Sequence, residues 1–117
     1  MKPVVKTSDI KVIVGLDEDN IPIELKWLAE DGNKDKAEKK AKGMLLSLFD
    51  DTSKDTFKID LWTTELQVNE MDRFMYQTLR GLADTYFKAT KNTALANDMQ
   101  KFTQYFGEQT DLIKKEE

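Results

Sequence analysis

The sequence predicts a small α+β domain: a four-stranded antiparallel sheet made of two hairpins, followed by two C-terminal helices packed on one face. Two observations carry this expectation. Apolar residues recur at period two in three short runs up to Trp62, with a fourth β-rich run between the second and third of them, and at the helical period after Asn69. Between the runs lie segments rich in Asp, Asn and Ser, whose side chains favour turns by bonding nearby backbone. Strands first and helices afterwards, in one small chain, make an antiparallel sheet with helices segregated to one side. A chain of 117 residues buries roughly two-thirds of its unfolded surface, enough for one core. The expected organisation is therefore a single domain over 1–117, with tails at 1–7 and 114–117 and a charged loop at 30–40.

Each element has its own signal. Ile10, Val12, Val14 and Leu16 alternate from Ser8 to Leu16, and "DEDN" at 17–20 closes a turn into a second alternating run, Ile21, Ile23, Leu25 and Trp27. Pro22, early in that run, suits a strand start. "NKDKAEKKAK", 33–42, has no apolar period and reads as loop or frayed helical turn. "GMLLSLFD" and "TFKIDLW", split by "DDTSKD", form the second hairpin. Met71, Phe74, Met75, Leu79, Leu82 and Tyr86 then fall on one stripe, predicting a helix over 70–89 with Asn69 as its cap. Lys91 and Asn92 break it, and Thr93 can cap a second helix marked by Leu95, Met99, Phe102, Phe106 and Ile113, which Gly107 can bend or end early. Phe74, Leu79, Leu82 and Phe102 are the expected core of the helical layer against the strands.

Composition removes several functions. No apolar run approaches the roughly 20 residues of a membrane helix, and the N-terminus lacks the unbroken apolar segment of a signal peptide, so a cytoplasmic protein without membrane insertion is expected. Twenty-two acids against eighteen bases give a net charge of -4, which repels nucleic acid. The one lysine-rich stretch, 33–42, holds two acids, no arginine and no aromatic to stack on a base. Without histidine or cysteine there is no Ser-His-Asp or Cys-His machinery, no zinc site of the usual kind and no disulfide. The five glycines stand singly at 15, 32, 43, 81 and 107, so no phosphate loop is present. The acidic turns fail as calcium loops: the positions where an EF-hand wants Gly and Glu hold Pro22 and Leu28 counted from Asp17, and Thr56 and Trp62 counted from Asp51. No catalytic, metal or cofactor-binding residue is expected. A carboxylate pair such as Asp60 with Glu65 has nothing to single it out.

"FKIDLWTTELQVNEMDRFMYQTLRGLADTYFKATKN", Phe57 to Asn92, resembles the central signature of the GldC family, gliding-motility proteins of surface-gliding Bacteroidota. "SDIKVIVGLDEDNIPIELKW", Ser8 to Trp27, is similar to that family's N-terminal hairpin, and "DMQKFTQYFGEQT", Asp98 to Thr110, to its last helix. Two departures stand out. Phe49 occupies the place of an expected tryptophan, and Thr64-Glu65 that of a Lys-Asp pair. The resemblance implies an accessory, non-enzymatic role in gliding, alongside the lipoprotein GldB, and no catalytic residue.

One residue contradicts the alternation it belongs to. Phe57, Ile59 and Leu61 share one strand face, so Trp62 lies with Lys58 and Asp60 on the other. With Ile10, Val12, Val14, Ile23, Leu25, Trp27, Phe57, Ile59 and Leu61 assigned to the face covered by helices, the opposite face holds Ile13, Leu28, Trp62 and either Met44, Leu46 and Leu48 or Leu45 and Phe49. Ile13, Leu28, Phe49 and Trp62 are thus the candidate partner-binding residues, for a foreign protein or for self-association as a homo-oligomer; the rival reading buries Trp62 under a neighbouring loop. Two further functions compete with the gliding module: an export chaperone resembling SecB, which would need a long exposed apolar groove with Met and aromatics, and a small ligand-binding domain, which would need a deep pocket with convergent polar groups.

Overall fold

The computed structural model describes residues 2–29 and 38–115. Most of the expected 30–40 loop, residues 30–37, lies outside them. The chain divides into two compact units, Met1–Leu66 and Gln67–Glu117. It is α+β, with two antiparallel sheets in the first unit and two helices in the second.

In the first unit β1 (Ile10–Leu16) pairs antiparallel with β2 (Pro22–Ala29), and β2 with a short β3 (Lys39–Ala41). β4 (Gly43–Phe49) pairs antiparallel with β5 (Thr56–Trp62). The strands thus lie in two ladders, of three strands and two, rather than in the expected single sheet of four. The physical reason sits at Lys42. This one residue separates β3, which is bonded to β2, from β4, which is bonded to β5, and its carbonyl accepts the Thr63 N–H at 2.8 Å in the β4–β5 register. β3 itself was hidden in the lysine-rich stretch. It reads as a strand only because β2 supplies it with a partner and Trp27 with a surface: Lys39 pairs with Trp27 and holds its Nζ 5.2 Å from the indole centroid.

Turn chemistry sets both hairpins. Asp17 Oδ1 accepts from the N–H groups of Asp19 at 2.8 Å and Ile21 at 3.0 Å, and Asn20 takes the left-handed conformation at φ 62°. Asp50 Oδ2 accepts from Ser53 N–H at 2.8 Å and Thr52 N–H at 3.1 Å, with Lys54 left-handed at φ 62°. These carboxylates stabilise their own loops. In β2 Leu25 is buried, flanked across the ladders by Val14 and Ala41; Leu25 and Thr63 are the only buried residues among those described in this unit.

The second unit is a helical hairpin. α1 (Val68–Thr90) starts two residues before the expected helix, because the Glu70 carboxylate reaches back to the Gln67 N–H at 3.1 Å and so draws the first turn forward of Asn69. It ends on Lys91, left-handed at φ 58°, whose N–H bonds the Phe87 carbonyl at 2.8 Å. α2 (Thr93–Gln109) is capped by Asn92 rather than Thr93, with Asn92 Oδ1 accepting the Leu95 N–H at 3.1 Å. It stops before Ile113, whose N–H returns to the Gly107 carbonyl at 3.2 Å. Ala83, Ala96, Thr103 and Gly107 are the buried residues of this unit. Of the expected core, Phe74 and Leu79 are half-buried while Leu82 and Phe102 are exposed. Small residues allow helix axes to come close, and Ala83 and Thr103, one position on from Leu82 and Phe102, take the buried places.

Gly107 is required by that closeness. A Cβ there would stand 2.8 Å from Tyr76 Cε2 and 2.9 Å from Ile113 Cδ1, whereas one at Gly81 would meet nothing. Gly107→Ala is expected to cost about 1 to 3 kcal/mol of overpacking against at most about 1 kcal/mol gained in helix propensity, a net loss in urea unfolding. Gly81→Ala is expected to gain roughly 0.5 to 1 kcal/mol. Equal effects of the two substitutions would contradict this packing.

The Asp50 turn carries a pH dependence. The backbone and hydroxyl of Ser53 first, and then the Thr52 N–H, hold the Asp50 carboxyl below its ordinary 3.8. A depressed native value means that this support is complete above the ordinary pKa and is lost as pH falls through the lowered one. In an NMR titration the Ser53 amide shift is expected to inflect below pH 3.8. An inflection at or above that value would show that the bonds do not form in solution.

Candidate functional site

Trp62 ends β5 directly opposite Gly43, so no cross-strand side chain covers its indole. It is 57% exposed and lines a cavity of about 550 Å³ with Ile21, Pro22, Thr64 and Leu66. The chain crosses from β5 toward β2 here: Thr63 N–H bonds the Lys42 carbonyl, and Thr64 N–H bonds the Pro22 carbonyl at 3.3 Å. Lys58 and Asp60, on the Trp62 face, pair with each other at 3.1 Å. As an exposed pair they contribute little to stability but give the surface a polar border.

The register decides which residues of the third predicted strand accompany Trp62. Gly43, Leu45, Ser47 and Phe49 pair with Trp62, Asp60, Lys58 and Thr56, so Leu45 and Phe49 share the Trp62 face. Met44, Leu46 and Leu48 pair with Leu61, Ile59 and Phe57 on the opposite one. Phe49 is 69% exposed but sits at the turn end of the hairpin, about 20 Å from Trp62 at a strand rise of roughly 3.3 Å per residue. Ile13 and Leu28 share one face of the β1–β2–β3 sheet, among Lys11, Glu24, Lys26 and Lys40. On that face the Lys26 ammonium bonds Glu24 at 2.7 Å and approaches Glu38 at 3.7 Å. This contact lowers the Glu24 pKa and raises that of Lys26. The four candidate residues therefore form two pairs, one on each sheet.

Alternation counting missed a second feature. Ile10, Val12, Leu25, Trp27, Ala41, Gly43, Met44, Leu45 and Leu46 line an apolar groove of about 460 Å³. It depends on β3, which brings Ala41 beside Leu25 and hands the chain on to β4. Only the pairing of "KKA" with β2 reveals it; composition gives no signal.

No group of acidic side chains able to hold a metal ion occurs among the described residues, and none of their helices is long and apolar enough to cross a membrane. What the chain offers is a small α+β protein with apolar groove and sheet surfaces bordered by charge. The family model for gliding motility-associated proteins of the GldC-like kind matches residues 22–112, which takes in the whole of the Phe57–Asn92 signature and the Asp98–Thr110 segment. The chain belongs to this GldC-like family. No curated protein and no solved structure matches it.

Thr63 is fixed between Trp62 and Thr64, buried, with no hydrogen-bond partner for its Oγ1 among the described residues. A buried hydroxyl without a partner costs about 1 to 3 kcal/mol. Thr63→Val keeps the shape and the β-branching, and is expected to raise the thermal midpoint. A lowered midpoint would show that the hydroxyl makes a bond in solution that holds the β5–β2 junction.

Proposed function

We propose that this chain is a non-enzymatic, cytoplasmic accessory protein of bacterial gliding that acts through protein–protein contact and supports the lipoprotein GldB, its 117 residues working as one GldC-like domain. Family membership supports the gliding role. The observation that carries the contact role is Trp62, an aromatic side chain left exposed beside a cavity, with an ion pair on the same face. Aromatic residues are enriched at interface centres, and rim charges set register and encounter rate more than affinity. Ile13, Leu28 and Phe49 extend the surface as outlying contacts. Phe49, in the place where the family resemblance leads one to expect tryptophan, offers the smaller ring.

A second reading is supported by the groove. An apolar channel lined by Trp27, Met44 and Leu46 is the kind of surface on which an extended apolar client segment could be held, as in an export chaperone.

The test is capture of GldB from gliding cells by the full chain and by Trp62→Lys. The variant is expected to keep the wild-type unfolding midpoint, since the indole is already wet, and to lose at least about tenfold in capture, which corresponds to roughly 1.4 kcal/mol. A variant that unfolds, or one that captures GldB as well as wild type does, would remove Trp62 from the contact.

A further inference from the structure

The hairpin of β4 and β5 has two unlike faces. On one, Leu45, Ser47, Phe49, Thr56, Lys58, Asp60 and Trp62 mix apolar and polar groups. On the other, Met44 pairs with Leu61, Leu46 with Ile59 and Leu48 with Phe57, so every position over the length of the hairpin is apolar. An antiparallel sheet ordinarily buries one face and wets the other, and a face with no polar side chain is the buried kind. Here Leu48 is 59% exposed, Phe57 60% and Ile59 54%. Met44 and Leu46 also line the groove, which carries the same surface on to Ile10, Val12 and Trp27. A two-stranded hairpin is marginal alone in water, and Leu25 and Thr63 are the only buried residues described in this unit. Something has to cover the face.

We infer that a second copy of this chain covers it, the Leu48, Phe57 and Ile59 face of one copy packing on the same face of the other about a two-fold axis. Area supports this occupant. A stable interface takes about 800 Å² from each partner, and the exposed parts of Leu46, Leu48, Phe57 and Ile59, with Ile10, Val12 and Trp27 along the adjoining groove, supply apolar area on the order of that figure. Chemistry supports it too. Permanent homodimer interfaces are the most apolar class, whereas transient partners meet on surfaces as mixed as the rest of a protein. Two copies of net charge -4 repel each other, but the face brings no charge to the contact, because Lys58 and Asp60 stand on the opposite side of β5. An isologous contact needs only a self-complementary patch, and stacked sheets about 10 Å apart interdigitate side chains of this size. This goes beyond the partner reading and uses the other face from Trp62.

The experiment is sedimentation of the full chain from about 1 to 100 µM, a range that brackets a Kd of roughly 1 µM. Wild type is expected at twice 13.5 kDa. Ile59→Lys places a charge in the contact and is expected to sediment as a folded monomer by circular dichroism. Phe57→Ala is a milder change on the same face that weakens association at least tenfold even if the lysine variant does not fold. Ser47→Lys, on the opposite face, is expected to remain dimeric. Wild type monomeric at the highest concentration would overturn the inference, the face being covered by the chain's own helices or left open for a client segment. So would a dimer indifferent to both Ile59→Lys and Phe57→Ala. Measuring GldB capture on these variants and on Trp62→Lys separates the two ideas, since a dimeric wild type with Trp62-independent capture fails the contact reading alone.

Discussion

The β unit turns on a single backbone hydrogen bond, from Thr63 N–H to the Lys42 carbonyl at 2.8 Å. Residues 39–49 are nearly one continuous strand, yet their first part is bonded to β2 and their last part to β5. Lys42 is where the allegiance changes. Lys42 stands opposite Thr63 in the same register that pairs Gly43 with Trp62, so its carbonyl carries the β4–β5 hydrogen-bonding one residue past the strands. The start of the β5–α1 connection supplies the donor. The same bond holds the register at this end of the hairpin, and with it the place of Trp62 opposite Gly43 and of Thr63 in the interior.

From that junction follow two surfaces of different kinds. With the register set, period-two alternation sorts the β4–β5 side chains without exception, and a slip of one residue would have exchanged the faces completely. The apolar face receives Leu46, Leu48, Phe57 and Ile59, and the mixed face receives Trp62 next to the Lys58–Asp60 pair. β3 adds to this by holding Ala41 against Leu25 and Lys39 over Trp27, which turns the edge of the first sheet into the wall of a groove. A three-residue strand with two lysines is too short and too polar to form by propensity. It exists because β2 has a free edge to complete and an indole to cover.

Much of this was legible in the sequence, and the limits have physical causes. β1, β2, β4 and β5 were readable to within a residue or two because each hairpin ends on an Asp whose carboxylate stabilises its own turn, a local signal. Helix boundaries shifted where a side chain three residues away decided them: Glu70 reaching back to Gln67, and Asn92 reaching forward to Leu95. The division into two ladders was not legible, since it rests on residues 39–41 pairing with β2 and 43–49 with β5, a long-range change of partner that no periodicity announces. Nor was the buried seam of the helical unit, because apolar counting favours large residues such as Leu82 and Phe102, while close helix packing selects Ala83, Ala96 and Gly107. Trp62 was recognisable as an anomaly of its strand. Phe49 and Trp62 proved to share a face, but at opposite ends of it, and that distance depends on the register rather than on composition.

The two faces of one hairpin also differ in what they can recognise. A surface without polar atoms gains from any apolar partner of suitable shape, so its selectivity comes from shape alone and its natural use is in a contact made once and kept. A surface with one aromatic ring, a neighbouring cavity and a fixed pair of opposite charges can reject a wrong partner by leaving those charges desolvated and unmatched. The first property suits assembly of the protein itself, and the second suits a partner that binds and leaves. Because the faces sit on alternate residues of the same two strands, Ile59 and Asp60 lie on different surfaces although they are adjacent in the chain. Trp62 stands on the mixed face, 57% exposed. Its position follows from a strand that had already committed Leu61 to the other side.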